Sequence, residues 1–249
     1  MKPKYFLAIT VVLLTACTAE PPALTVSAAA NLQAAFTEIG AAFEQQTGTR
    51  VQFNFAATGS LGQQIAQGAP VDLFASADRA TVDDLAARGF IVPETVRVYA
   101  RGQIVLYSRA DGPALQALGD LTRPEIKRVA IANPEIAPYG RAAQEAMQNA
   151  GVWTAVQPKL VIAENIQQTQ QFADTGNVDA AIVARSLTIA AKGQVTAIAP
   201  ALYQPIDQSL GVVKGAKNDR DARAFAAFVL GAQGRAILEK YGYGMPNDK

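Results

Sequence analysis

Between Leu24 and Tyr241 short apolar runs alternate with segments of helical spacing. That alternation predicts an α/β layered fold with parallel strands, because a parallel crossover takes a helix. Leu24 to Ser27 reads as a strand, and Leu32, Ala35, Phe36, Ile39 and Phe43 then follow helical spacing until Gly48. Val51 to Phe55 and Val71 to Asp78 read as strands, with helices over Ser60 to Gln67 and Thr81 to Arg88. A long extended stretch follows, Val96 to Tyr107, interrupted at Gly102. Further helices are expected over Arg141 to Ala150 and Gln167 to Thr175, and one long amphipathic closing helix over Arg220 to Tyr241. Crossings near Ala100 and near Tyr203 divide the chain into two lobes, 24–99 plus 206–249 and 100–205. Two lobes joined by two strands can hinge and close. Ligands of such sheets bind beyond the carboxyl ends of the strands.

Composition removes several function classes. The 249 residues are 50% hydrophobic and 17% charged, which suits one or two globular domains. A formal net charge of +1 leaves no basic surface for nucleic acid. There is no histidine, which excludes His-based general bases, ordinary zinc sites and Ser-His-Asp triads. The start of the chain, Lys2 and Lys4 before an apolar run from Tyr5 to Leu14, reads as a secretory signal over residues 1–16. "LTAC", Leu14 to Cys17, resembles the bacterial lipobox, which implies lipidation at Cys17 and a tether over residues 17–23. An ordinary signal peptide with an incidental cysteine is the alternative. Cys17 is the one cysteine, so disulfides and thiol chemistry are not expected in the exported part. Removal of Lys2 and Lys4 turns the formal charge from +1 to −1.

Four loops place small or polar residues just before a helix: "SAAAN" before Leu32, "AATGS" around Thr58 and Ser60, "IAPYG" around Tyr139, and "AENI" around Asn165 and Ile166. Each offers free backbone N–H groups that carry partial positive charge and bind anions without formal cations. Asn, Thr and Ser are also ordinary N-caps, so one such loop alone is only a helix start. Four of them, two from each lobe, point to one site. Lys and Arg are absent from the loop centres, although Arg141 lies just inside the third helix. Neutral donors suit a fully deprotonated oxyanion. A monohydrogen phosphate also needs an acceptor for its proton, and Glu135 and Glu164 are expected to face solvent. "TGSLG" lacks the Gly-Lys-Ser/Thr ending of a P-loop, and no Gly-x-Ser-x-Gly elbow is present. Asp72 and Asp78 read as a strand start and a helix cap, and Trp153 as a packing residue.

Over about Leu24 to Gly244 the sequence resembles the periplasmic molybdate-binding proteins of ABC transporters. The segments that carry the likeness are "LTVSAAANLQAAF", "FAATGSLGQQIAQGAPVDLFASAD", "ANPEIAPYGRAAQEAM", "PKLVIAENIQQTQQF" and "KYGY". The resemblance implies a two-lobed, type II periplasmic-binding-protein-like fold with two hinge crossovers. It further implies a monomeric receptor holding molybdate or tungstate by hydrogen bonds, with no other cofactor, for delivery to an ABC permease. Carried over by position, the ligand contacts fall at Asn31, Thr58 (with Ser60 beside it), Tyr139 and Ile166. The family's ligand-contacting tyrosine in the segment matching "AIVARS" falls at Ala184, a departure that the Tyr139 phenol is expected to compensate, the alternative being a site with one donor fewer. The expected function is capture and closure, not catalysis, by a lipoprotein outside the cytoplasm. The alternatives are another oxyanion such as sulfate or phosphate, a secreted lipoprotein hydrolase, or a structural lipoprotein.

Overall fold

The computed structural model describes residues 23–246. The expected leader, residues 1–16, and lipidation at Cys17 lie outside the described residues. The chain opens with β1 (Leu24–Ala29), α1 (Gln33–Thr47), β2 (Val51–Ala56), α2 (Thr58–Ala66), β3 (Leu73–Ala75), α3 (Ala80–Ala87) and β4 (Arg97–Gly102). A middle part follows: β5 (Ile104–Ser108), β6 (Val129–Ala132), α4 (Pro138–Asn149), α5 (Trp153–Val156), β7 (Leu160–Ala163), α6 (Ile166–Asp174), β8 (Ala180–Ala184), α7 (Arg185–Thr188) and β9 (Gln194–Ala197). β10 (Ile206–Val212), α8 (Asp219–Leu230) and α9 (Ala232–Lys240) then return to the first part.

Two five-stranded sheets result, ordered β2-β1-β3-β10-β4 and β7-β6-β8-β5-β9. Pairing is parallel on the helix-linked side of each sheet. It is antiparallel around β10 and β5. These two strands enter their sheets directly from a crossing, so one strand in each sheet runs against the parallel strands. The pairing of β4 with β10 continues to Gly102, opposite Ile206. Gln103 alone therefore separates β4 from β5.

The first sheet is covered by α1 and α8. Phe36, Phe43 and Phe225 are fully or almost fully buried between them, with ring centroids 6.0 Å apart for Phe36–Phe225 and 5.2 Å for Phe43–Phe225. Edge-on aromatic pairs of this kind add about 0.5–1.5 kcal/mol beyond the area they bury. The closing helix is two helices, because Gly231 is extended (φ −73°, ψ 172°) and separates α8 from α9. In the second sheet β8 is buried along its whole length, as a central strand covered on both faces must be.

Register sets the positions that matter next. Ala29 of β1 pairs with Ala56 of β2. Asn31 and Thr58, each two residues further on, therefore emerge side by side at the carboxyl edge. Likewise Ala132 of β6 pairs with Ala163 of β7, and the turns beyond them start α4 and α6.

Candidate oxyanion site between the two sheets

The first loop does not start its helix as a plain N-cap. Ala30–Leu32 forms a 3-10 turn and α1 starts at Gln33, with no side-chain cap from Asn31. Asn31 is instead turned inward, 2% exposed. Its Nδ2 donates to Tyr243 Oη at 2.9 Å and Gln208 Oε1 at 3.0 Å, with Tyr139 Oη at 3.4 Å. Its backbone carbonyl accepts from Tyr243 Oη at 2.7 Å and Ser186 Oγ at 3.1 Å. Tertiary partners thus outcompete the local cap.

In the second loop Thr58 is the first residue of α2, also 2% exposed. Its Oγ1 accepts from the N–H of Ala77 at 3.0 Å, so its own hydroxyl hydrogen remains to be donated. The next N–H, of Gly59, donates across to the carbonyl of Ile136 at 2.9 Å. A Cβ at Gly59 would lie 3.0 Å from that carbonyl oxygen, so this contact between the two units is close.

The third loop places Pro138 at the first position of α4, where its fixed φ suits the helix and its missing N–H costs nothing. The first N–H of that helix then belongs to Tyr139, and it has no acceptor within its own helix. The Tyr139 ring is buried, and its hydroxyl accepts from Gln208 Nε2 at 2.8 Å. The fourth loop is capped by Asn165, whose Oδ1 accepts from Gln167 N and Gln168 N, both at 3.0 Å. The N–H of Ile166, which points out of the same turn, has no acceptor within α6.

Asn31, Thr58, Tyr139 and Ile166 meet at one cavity of about 10 Å³, about the space of a single water. Alanines, Pro138 and Asn165 fill the remaining wall, and no Lys, Arg, Asp or Glu lines it. Small side chains let a guest approach the backbone, and helix starts supply partial positive charge. Burial holds the Tyr99, Tyr139 and Tyr243 hydroxyls well above the ordinary tyrosine range, so all three stay neutral.

Other expected residues fall elsewhere. Ser60 and Ala184 do not line the cavity. Arg141 lies outside it, on the rim, where it pairs with Asp78 of the opposite unit. Asp78 also accepts from Thr81 N at 3.0 Å, the expected helix cap. Asp72 accepts from Thr25 N, Asn218 N and Asn218 Nδ2, a structural junction. A larger cavity of about 850 Å³ opens beside Asp72, and the helix starts of the four loops do not reach it. Gln208, Tyr243 and Ser186, which bond Asn31, and Tyr99, which bonds Gln208, were not foreseen. The traceable signals were a glutamine inside the apolar strand "IDQSLGV" and the segment "KYGY".

Residues 24–244 match the family described as bacterial extracellular solute-binding protein. The chain belongs to that family. Among relatives of this solute-binding protein is the molybdate-binding protein ModA of Rhodobacter capsulatus, 38% identical over 216 residues, 86% of this chain and 85% of the relative. The molybdate-binding protein ModA of Azotobacter vinelandii is 33% identical over 237 residues, 93% of this chain and 94% of the relative. The solved periplasmic molybdate-binding protein of Azotobacter vinelandii superposes with a TM-score of 0.85 at 28% identity, covering 90% of this chain and all of that one. The solute-binding protein thus has the type II periplasmic binding fold, with its two sheets facing one cavity. None of the helices among the described residues is long and apolar enough to cross a membrane.

Proposed function

We propose that this chain is an extracytoplasmic receptor that captures molybdate or tungstate between its two lobes and delivers it to an ABC permease. One observation carries the reading: four loops from both sheets converge on a cavity that offers neutral donors and no charged side chain. The donors are the N–H groups of Asn31, Thr58, Tyr139 and Ile166 and the Thr58 hydroxyl, joined by the Asn31 carboxamide when its Nδ2 turns to the cavity. A fully deprotonated oxyanion needs donors only. A monohydrogen phosphate would also need an acceptor, and the nearby carboxylates, Glu135 and Glu164, are exposed and off the cavity wall.

The work is capture and closure, with no catalytic step and no cofactor. Lobes 24–99 plus 206–249 and 100–205 open about the two crossings, and the anion favours the closed arrangement by bridging them. A lipid on Cys17, joined through residues 17–23, keeps the monomeric receptor at the membrane beside its permease.

A thermal-shift series with molybdate, tungstate, sulfate and phosphate tests the ligand. Binding to the folded state alone stabilises by about 4 kcal/mol at a thousandfold excess over Kd. Molybdate and tungstate should raise the melting temperature, with sulfate and phosphate well behind. The absence of a shift with either metal oxyanion at saturating concentration overturns the reading, and a shift with sulfate or phosphate alone reassigns the ligand.

A further inference from the structure

The hydrogen bonds around Asn31 do not balance. Its Nδ2 has two hydrogens for three oxygens, those of Tyr243, Gln208 and Tyr139. Its Oδ1 is buried without a hydrogen-bond partner among the described residues. Tyr99 has one hydroxyl hydrogen facing two acceptors, Ser76 O at 2.9 Å and Gln208 Oε1 at 3.1 Å.

A half-turn of both carboxamides keeps the heavy atoms in place and exchanges donors for acceptors. Gln208 then presents its NH₂ to Asn31 Oδ1 at 3.0 Å and to the Tyr99 oxygen at 3.1 Å. The Tyr99 hydrogen is left for Ser76 alone. Gln208 Oε1 takes the Tyr139 hydroxyl hydrogen at 2.8 Å. The conflicts at Gln208 and Tyr99 are removed. The Tyr243 hydrogen passes from the Asn31 carbonyl, which keeps the Ser186 hydroxyl, to Asn31 Oδ1 at 2.9 Å, and Asn31 Nδ2 has both hydrogens unspent at the wall of the cavity. Unspent buried donors are costly, so this arrangement needs an acceptor in the cavity.

We propose that Gln208 is the positioning residue of the site. It does not line the cavity. Entry of an oxyanion turns the two carboxamides together: Gln208 becomes the donor to Asn31, and Asn31 becomes the donor to the anion. The inference rests on the oxyanion reading above. Two features place Gln208 for the task. It is fully buried, and the register of β10 against β4 shifts between Gln208 and Ser209, an irregularity of the kind that re-aims a side chain. Its partner Tyr139 belongs to the other unit, so the Tyr139–Gln208 bond joins amide orientation to lobe closure.

Titration calorimetry with molybdate on the wild type, Q208M, N31S and the double variant tests the coupling. Methionine keeps the length of glutamine and removes its hydrogen bonds, and serine keeps a donor but has no carboxamide to orient. Q208M should weaken binding by about tenfold or more in the wild-type background and by less than about twofold in N31S. Equal losses in both backgrounds overturn the inference and leave the functional reading standing. A wild type that binds no oxyanion overturns both. Side-chain amide NMR of the labelled wild type needs no variant. Saturation with molybdate should move the carboxamide resonances of Asn31 and Gln208 together, and an unmoved Gln208 overturns the inference.

Discussion

The Tyr139 hydroxyl rests against the backbone of Gly102, the last residue of β4, in the space that a side chain at position 102 would fill. A Cβ there would also lie 2.9 Å from Gln208 Nε2. Neither neighbour has room to retreat, because both are buried and bonded to each other. Gly102→Ala should therefore cost about 1–3 kcal/mol by overpacking and should weaken molybdate binding by pushing Tyr139 out of place. Urea unfolding and calorimetry measure the two effects. An alanine variant with both unchanged would mean that the ring moves freely.

Tyr139→Phe keeps the ring and removes the group that accepts from Gln208 Nε2. A buried donor left without a partner costs about 1–3 kcal/mol. The ligand-free variant should lose that much stability in urea unfolding, and its molybdate affinity should fall. An unchanged affinity would rule out any part for the phenol in the site, including compensation for the tyrosine missing at Ala184.

Arg141 and Asp78 form an ion pair from one unit to the other at the rim of the cavity. The side chains are 47% and 14% exposed, so water and salt screen the pair and it is worth at most about 1 kcal/mol. Arg141→Ala should weaken binding a fewfold at low ionic strength. The difference from wild type should shrink as salt is added, since the Debye length falls to about 3 Å at 1 M. Paired titrations at low and high salt check this. A salt-independent loss would point to a contact with the anion itself.

Alkali should act on the fold through its tyrosines. Desolvation, then the hydrogen bond to Asp174, pushes the Tyr107 phenol up to about 12, against an ordinary value of about 10. The folded state therefore favours the neutral phenol. Its contribution is complete below about pH 10 and is lost as pH rises towards about 12. Tyr99, Tyr139 and Tyr243 are displaced in the same direction. Phenolate absorbance from these residues should appear together with unfolding. Tyr107→Phe should flatten the fall in stability over that window, measured by denaturant unfolding at stepped pH.

The strand–helix alternation and the four helix starts were legible because each rests on neighbouring residues. Thr58 follows a strand and begins a helix within three positions, and a short window reads it. The partners of Asn31 were not legible, because Gln208 and Tyr243 arrive from 177 and 212 residues away. Local chemistry gave Asn31 the role of a cap, and those distant groups drew it inward instead. The break at Gly231 leaves no mark in the pattern, because apolar periodicity runs across it, from Phe225 and Val229 to Ile237. The first crossing, expected near Ala100, falls at Gln103, because backbone pairing with Ile206 holds Gly102 in the first sheet, and pairing of that kind leaves no mark in composition.

Tyr243 fastens the carbonyl of Asn31 from 212 residues downstream. A chain grows from its N-terminus, so the ribosome releases the first loop long before the residue that secures it. Ligand capture is thus a property of the nearly finished chain. A nascent fragment that lacks Tyr243 lacks the clasp, so its first loop stays unfastened until the last residues arrive.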